Sequence, residues 1–259
     1  MVKRVPIIGM SLKMYFSPSK THTYLQAFEP IAVAAHEIGV NTFLIPDFLS
    51  VAEACKVLVP TLRRRYITGV GAQDCFWEED GPYTGEISVK HLAELNVGYV
   101  EIGHAERRRI FKETDADVAK KCAIAAKHGL IPVICIGDVE KDTDNIGSAI
   151  AFCVSQMKAA LSDVEKDSEV IFGYEPVWAI GQPEPAPVAF INGVCEGLRE
   201  FLDFDGRQST ARILYGGSAK PGLFSALDPE AIDGLFIGRF GHDPDNFFSM
   251  VKEIAAKKY

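Results

Sequence analysis

Three reactive side chains stand directly after short apolar runs in this 259-residue chain, each run reading as a buried strand. Lys13 follows Val5–Gly9, His104 follows Tyr99–Ile102, and Glu175 closes Glu169–Tyr174. Gathered in one cleft, a lysine, a histidine and a glutamate offer a fixed positive charge, an N–H donor and a base. That is the set needed to move a proton on a carbon beside a carbonyl. Two glycine-bearing segments complete the series, Tyr215-Gly216-Gly217-Ser218 and Gly234-Leu235-Phe236-Ile237-Gly238. Glycine exposes backbone N–H groups that a phosphate can approach.

Each residue also has a plain reading. Lys13 alone is a solvated lysine, His104 a packed or capping ring, Glu175 a strand-end carboxylate, and Gly-Gly a turn. The local context argues further in two cases. A helix is expected right after His104, and its positive end disfavours imidazolium. The flanks of Glu175, Phe172-Gly173-Tyr174 and Pro176-Val177-Trp178, are apolar and aromatic; they are expected to desolvate the carboxylate and raise its pKa. Pro176 restrains Glu175 to extended backbone, and Ala179-Ile180-Gly181 reads as the tip of a mobile lid.

Positioning these groups requires a scaffold of alternating elements. Eight strand-like runs are predicted: Val5–Gly9, Thr42–Ile45, Tyr66–Val70, Tyr99–Ile102, Ile131–Ile136, Glu169–Tyr174, Arg212–Tyr215 and Gly234–Ile237. Most are continuously apolar, as strands covered on both faces are. Helical periodicity marks Thr21–Ile38, Asp115–His128, Asn145–Leu161, Pro187–Leu202 and Asn246–Lys257. Strands alternating with helices pair in parallel through right-handed crossovers. An open sheet binding a dinucleotide would carry a glycine fingerprint after its first strand, and Gly9-Met10-Ser11-Leu12-Lys13 is not one. The expectation is a single α/β domain over residues 1–259, a closed (β/α)8 barrel whose site lies at the C-terminal mouth of its strands.

Composition narrows the partners. A net charge of −8 argues against general nucleic-acid binding, though not against a small anionic substrate held by local cations. No apolar run approaches the roughly 20 residues that span a bilayer, and Val5-Pro6-Ile7-Ile8 is too short for a signal peptide's apolar region. A cytoplasmic protein with no membrane partner is expected. The six cysteines are scattered without C-x-x-C pairing and read as buried free thiols; the six histidines show no helical zinc spacing, so no metal is expected.

Five segments together carry a resemblance to the triosephosphate isomerase family over essentially the whole chain. They are Lys13-Met14; Gly71-Ala72-Gln73 with Tyr83-Thr84-Gly85-Glu86-Ile87-Ser88; Gly103-His104-Ala105-Glu106-Arg107-Arg108; Tyr174-Glu175-Pro176-Val177-Trp178-Ala179-Ile180-Gly181; and Tyr215-Gly216-Gly217-Ser218. The resemblance implies a TIM barrel that interconverts dihydroxyacetone phosphate and glyceraldehyde 3-phosphate in glycolysis and gluconeogenesis, without a cofactor. By resemblance, Glu175 shuttles the proton across an enediol, Lys13 stabilises developing negative charge, and Glu106 supports Lys13 from a buried position. His104 would be the electrophile; this family is itself the known example of a neutral histidine poised at a helix start. Ser11, Gly181, Ser218, Gly238 and Arg239 would line the substrate and phosphate site. The Thr84 segment resembles a loop that inserts into a second subunit, implying a homodimer.

Departures from the family pattern bear on the substrate. Ser11 stands where the family has Asn and Leu12 where it has Trp, while Ala105 replaces a serine. Gln182-Pro183-Glu184-Pro185 replaces a lid segment with Thr, Gly and Lys, and two prolines should stiffen that hinge. Arg239 stands in place of a glycine; a positive φ there would cost about 1 kcal/mol, and its guanidinium can instead share phosphate binding. Ser11 with Arg239 also resembles a smaller branch that isomerises four-carbon erythrulose phosphates. The three-carbon reaction ranks first on family frequency. A Schiff-base aldolase using Lys13 and a non-catalytic barrel rank behind both.

Overall fold

The computed structural model describes residues 4–61 and 68–257. Its eight strands are β1 (Ile7–Ser11), β2 (Asn41–Ile45), β3 (Thr68–Ala72), β4 (Tyr99–Ile102), β5 (Ile131–Ile136), β6 (Val170–Tyr174), β7 (Ala211–Gly217) and β8 (Gly234–Ile237). All pair in parallel, in sequence order, and β8 returns to β1 to close a (β/α)8 barrel. Around it lie α1 (Pro18–Glu37), α2 (Val51–Thr61), α3 (Val89–Glu94), α4 (Ala105–Phe111), α5 (Asp115–Lys127), α6 (Ile146–Ala160), α7 (Val188–Phe204), α8 (Leu223–Ala226) and α9 (Pro244–Ala256). Among the described residues no helix is long and apolar enough to cross a membrane.

Strand alternation sorts the side chains into two cores. Ile8, Met10, Val100, Ile102, Ile134, Ile136, Phe172 and Tyr174 point outward and pack under the helices. Ile7, Phe43, Tyr99, Val133, Ile171, Leu214 and Phe236 point inward and fill the barrel. Phe43 stacks on Tyr99 at 4.8 Å and on Phe236 at 5.7 Å, so the lower barrel is plugged by rings. Burial of such side chains contributes about 1.5–3 kcal/mol each. A ligand therefore has room only above this plug, at the mouth.

Several boundaries differ from those read in the sequence. β1 runs two residues later than Val5–Gly9, because its ladder begins at Ile7↔Asn41 and ends at Ser11↔Ile45. Ser11 is thereby a strand residue facing the barrel axis. β3 starts at Thr68, while Tyr66 and Ile67 lie outside the described residues. β7 extends through Gly217, since Gly216 and Gly217 pair with Phe236 and Ile237 of β8. α1 starts earlier than predicted, at Pro18, with Ser17 Oγ accepting the Lys20 N–H as its N-cap. All six cysteines are buried free thiols, as expected.

Candidate active site

The strand ends bring Lys13, His104 and Glu175 together. Glu175 extends the β6 ladder by one bond, its N–H donating to Ile136 O at 2.8 Å. The surrounding backbone leaves just enough space for it. A Cβ on Gly137 would lie 1.8 Å from Glu175 O, and one on Gly216 would lie 2.3 Å from Glu175 Cγ. Gly216 is therefore needed for the base to reach the mouth, rather than only for a phosphate turn.

His104 caps α4 with its ring: Nδ1 accepts the Glu106 N–H at 3.1 Å. Nε2 lies 3.3 Å from Glu175 Oε2. Burial disfavours a charged ring, but the Glu175 carboxylate outweighs it and raises the pKa of His104 above the usual value. The geometry fixes where the proton sits. A nitrogen that accepts a helix N–H carries no proton of its own, so the neutral ring holds its proton on Nε2 and donates it to Glu175. The neutral electrophile expected from the helix start thus matches the hydrogen bonding, while the pull of the carboxylate opposes it.

The sequence expectation for Glu175 is reversed. Burial does raise its pKa, but His104 and Lys13 together lower it below the ordinary glutamate value. Desolvation by the aromatic flanks was legible locally, whereas His104 and Lys13 arrive from distant strands. Glu175 is only 8% exposed.

Lys13 sits just past β1 with φ +47°, a left-handed conformation uncommon for a side-chain-bearing residue. Gln73 Nε2 donates to Lys13 O at 2.8 Å and holds that backbone in place. Lys13 Nζ donates to Glu106 Oε1 at 2.8 Å. Burial works against the ammonium, but Glu106, Glu175 and Glu101 raise its pKa and keep it charged. Glu106 is half-exposed rather than buried, its side chain 42% accessible. It lies in the first turn of α4 at the rim, which is where it must be to reach a lysine rising from β1. α4 is anchored from below by Arg107, which pairs with Asp74 at 2.7 Å, and by Arg108, which donates to Gly103 O at 2.8 Å.

The remaining predicted residues sit on the loops after β6, β7 and β8. Ser218 Oγ donates to Gln182 O at 2.5 Å, so it grips the lid directly. Lys220 pairs with Glu184 at 3.0 Å, and the Ala186 N–H donates to Tyr215 Oη at 3.3 Å. Gly181 takes φ +75° at the exposed lid tip. Arg239 is exposed and begins a short helical turn beside Gly238; its φ is not positive, so the cost considered for a non-glycine residue does not arise. Thr84 lies in the exposed segment 81–86.

Asp138 was missed in the sequence. It accepts from Tyr174 Oη at 2.9 Å and from Trp178 Nε1 at 2.6 Å, clamping both sides of the Glu175-Pro176 step. It follows Gly137 at the end of β5, and scanning that strand end for carboxylates would have found it.

A base, a neutral N–H donor and a fixed cation converge in this mouth, ringed by the loops after β6, β7 and β8. The comparisons agree with that geometry. The model of the family described as triosephosphate isomerase matches residues 6–254. The chain is 41% identical to an L-erythrulose-1-phosphate isomerase of Pectobacterium atrosepticum, covering 98% of this chain and 97% of that one. It is 39% identical to a triosephosphate isomerase of Thermoanaerobacter pseudethanolicus, over 91% of this chain and 94% of the relative. It is 33% identical to triosephosphate isomerase 2 of Listeria innocua, over 98% and 99% of the two chains. With the barrel, the mouth and these matches in agreement, the chain belongs to the triosephosphate isomerase family and is an aldose–ketose isomerase.

Proposed function

We propose that the chain interconverts dihydroxyacetone phosphate and glyceraldehyde 3-phosphate through an enediolate, with Lys13, His104, Glu175 and Glu106 as its working groups. The observation that carries this reading is the 3.3 Å approach of His104 Nε2 to Glu175 Oε2, with Lys13 close enough to shift both. On binding, the substrate carbonyl oxygen replaces Glu175 as acceptor of the Nε2 proton. Glu175 then loses the partner that lowered its pKa, burial acts unopposed by that bond, and its basicity rises. The carboxylate takes a proton from the carbon bearing the hydroxyl, and the electron pair forms the enediolate. Lys13 balances the oxyanion charge; His104 gives its Nε2 proton to that oxygen and takes one from the neighbouring hydroxyl, and Glu175 returns its proton to the former carbonyl carbon, so the carbonyl moves over by one carbon. No bond to the protein forms and nothing is oxidised overall, so the residues themselves suffice.

Gly181, Ser218, Gly238 and Arg239 surround the phosphate in this reading, Arg239 as a charge-assisted donor. The enzyme works as a cytoplasmic homodimer, the exposed Thr84 segment seating in the second subunit; a monomeric mass by light scattering would remove that part.

A second reading is favoured by one observation. Ser11 is a short, 5%-exposed residue facing the barrel axis beneath the catalytic groups, which leaves room for a longer substrate. L-Erythrulose 1-phosphate is dihydroxyacetone phosphate with a hydroxymethyl group on the carbon that loses its proton. The same transfer converts it into erythrulose 4-phosphate. Measuring kcat/KM for both substrates on the purified protein separates the readings. A three-carbon value near the diffusion limit of about 10⁸–10⁹ M⁻¹s⁻¹ supports the first. A far lower value beside a larger four-carbon one gives the site to the second.

A further inference from the structure

Six acidic side chains are buried among the described residues: Asp74, Glu101, Glu113, Asp138, Glu175 and Asp233. Five have evident partners. Asp74 and Glu113 hold Lys121, Asp138 holds Tyr174 and Trp178, Asp233 holds Arg4 and Arg199, and Glu175 faces His104. Glu101, only 3% exposed, has no ion pair. A buried carboxyl left this way is costly, and a fold retains it only with a reason.

Its position supplies one. Glu101 shares the inward parity of Tyr99 on β4 and stands one layer above that ring, under the mouth. Lys13, His104 and Glu175 all lie close enough to act on its charge. Ser11 Oγ adjoins it from β1, yet makes no hydrogen bond of good geometry and is itself a buried hydroxyl without a partner. A carboxyl without an ion pair and a hydroxyl without a good hydrogen bond therefore meet at the floor of an otherwise apolar barrel. A substrate with its phosphate at the rim and its reacting carbons between Glu175 and His104 directs its far end at this floor. A three-carbon substrate ends at the reacting carbon and its oxygen. A four-carbon one carries a further hydroxymethyl group.

We propose that Glu101, assisted by Ser11, is the specificity residue of this site, hydrogen-bonding the terminal hydroxyl of a four-carbon ketose phosphate. This rests on the four-carbon reading given above. The geometry presents that hydroxyl with the unpartnered Ser11 Oγ and the carboxyl beside it, and a ligand lacking it leaves Ser11 without a partner. Sites built to bond a hydroxyl discriminate strongly against analogues without one.

The test is the ratio of kcat/KM for L-erythrulose 1-phosphate to that for dihydroxyacetone phosphate, in wild type, Glu101→Val and Glu101→Gln. Loss of a hydrogen bond to a charged group lowers that ratio by about 10–100-fold in Glu101→Val. The isosteric Glu101→Gln keeps a weaker bond and lowers it by about 3–10-fold. Far-UV circular dichroism and thermal midpoints establish folding; if the valine variant does not fold, the glutamine variant decides alone. A folded variant whose two activities fall in step, or whose ratio stays within about twofold of wild type, overturns the inference. A wild type that turns over only the three-carbon substrate overturns the underlying reading, and the inference with it. The two failures are thus distinguishable.

Discussion

The mouth of the barrel has two unlike halves. On the side proposed for proton transfer, Lys13, His104 and Glu175 rise from strand ends, and His104 and Glu175 are both nearly inaccessible to solvent. Their positions are fixed by ladder bonds, by the ring cap on α4 and by the Gln73 bond to Lys13 O. On the side proposed for phosphate binding, Gly181, Arg239 and residues 182–184 are exposed, and the lid is tied down by single contacts from Ser218, Lys220 and Tyr215. The lid and Arg239 departures fall on this second side. Proton transfer tolerates little displacement of the reacting groups, whereas a phosphate can be held by many arrangements of N–H groups and cations. The contrast teaches that this chain keeps its chemistry in the buried half and can vary its grip in the exposed one.

The largest expected effect tests the buried half. Glu175→Gln preserves shape and removes the base, so kcat should fall by about 10²–10⁴-fold with little change in thermal midpoint. A variant that keeps its activity would break the comparison at its root. The same residue sets a pH expectation. A carboxylate whose pKa lies below the usual value is protonated only as the pH falls through that lowered value. The enzyme's own acid limb in kcat/KM should therefore lie below the ordinary glutamate pKa of about 4.3, under the limb set by substrate phosphate ionisation near pH 6. An enzyme limb between these two values, after correction for substrate ionisation, would contradict the pull of His104 and Lys13 on the free carboxylate.

Effects in the exposed half should be smaller and of another kind. Arg239→Ala is expected to raise KM, and the inhibition constant of inorganic phosphate, by about tenfold while kcat changes little. Unchanged values for both would mean that the guanidinium is only solvated. Lys220→Ala removes an exposed ion pair from lid to loop, and steady-state constants should move by less than about threefold. A large fall in kcat would show that this contact governs lid motion and would blur the division between the halves.

The fold was legible because most strands are continuous apolar runs and five of the helices have an amphipathic period, whereas α2, α3 and α8 were not read. Boundaries slipped where pairing, not composition, sets the end: Ser11 joins β1 because β2 offers a partner through Ile45. That Lys13, His104 and Glu175 meet was legible from their placement after strands. Asp138 and Glu101 were not. The former looks like an ordinary loop acid, and the latter sits within a strand where nothing local distinguishes a barrel-facing carboxyl from a structural one.

By itself, then, the sequence determined the order of the elements, the closed barrel they imply and the candidates for proton transfer. Tertiary structure alone decided which way the Glu175 pKa moves, that Gly216 makes room for its side chain, and that Ser11 meets Glu101 beneath the site. The reason is that these are through-space properties. Local desolvation can be read from neighbours in the chain, but the groups opposing it on Glu175, His104 and Lys13, come from other strands. Only closure of the sheet sets those distances.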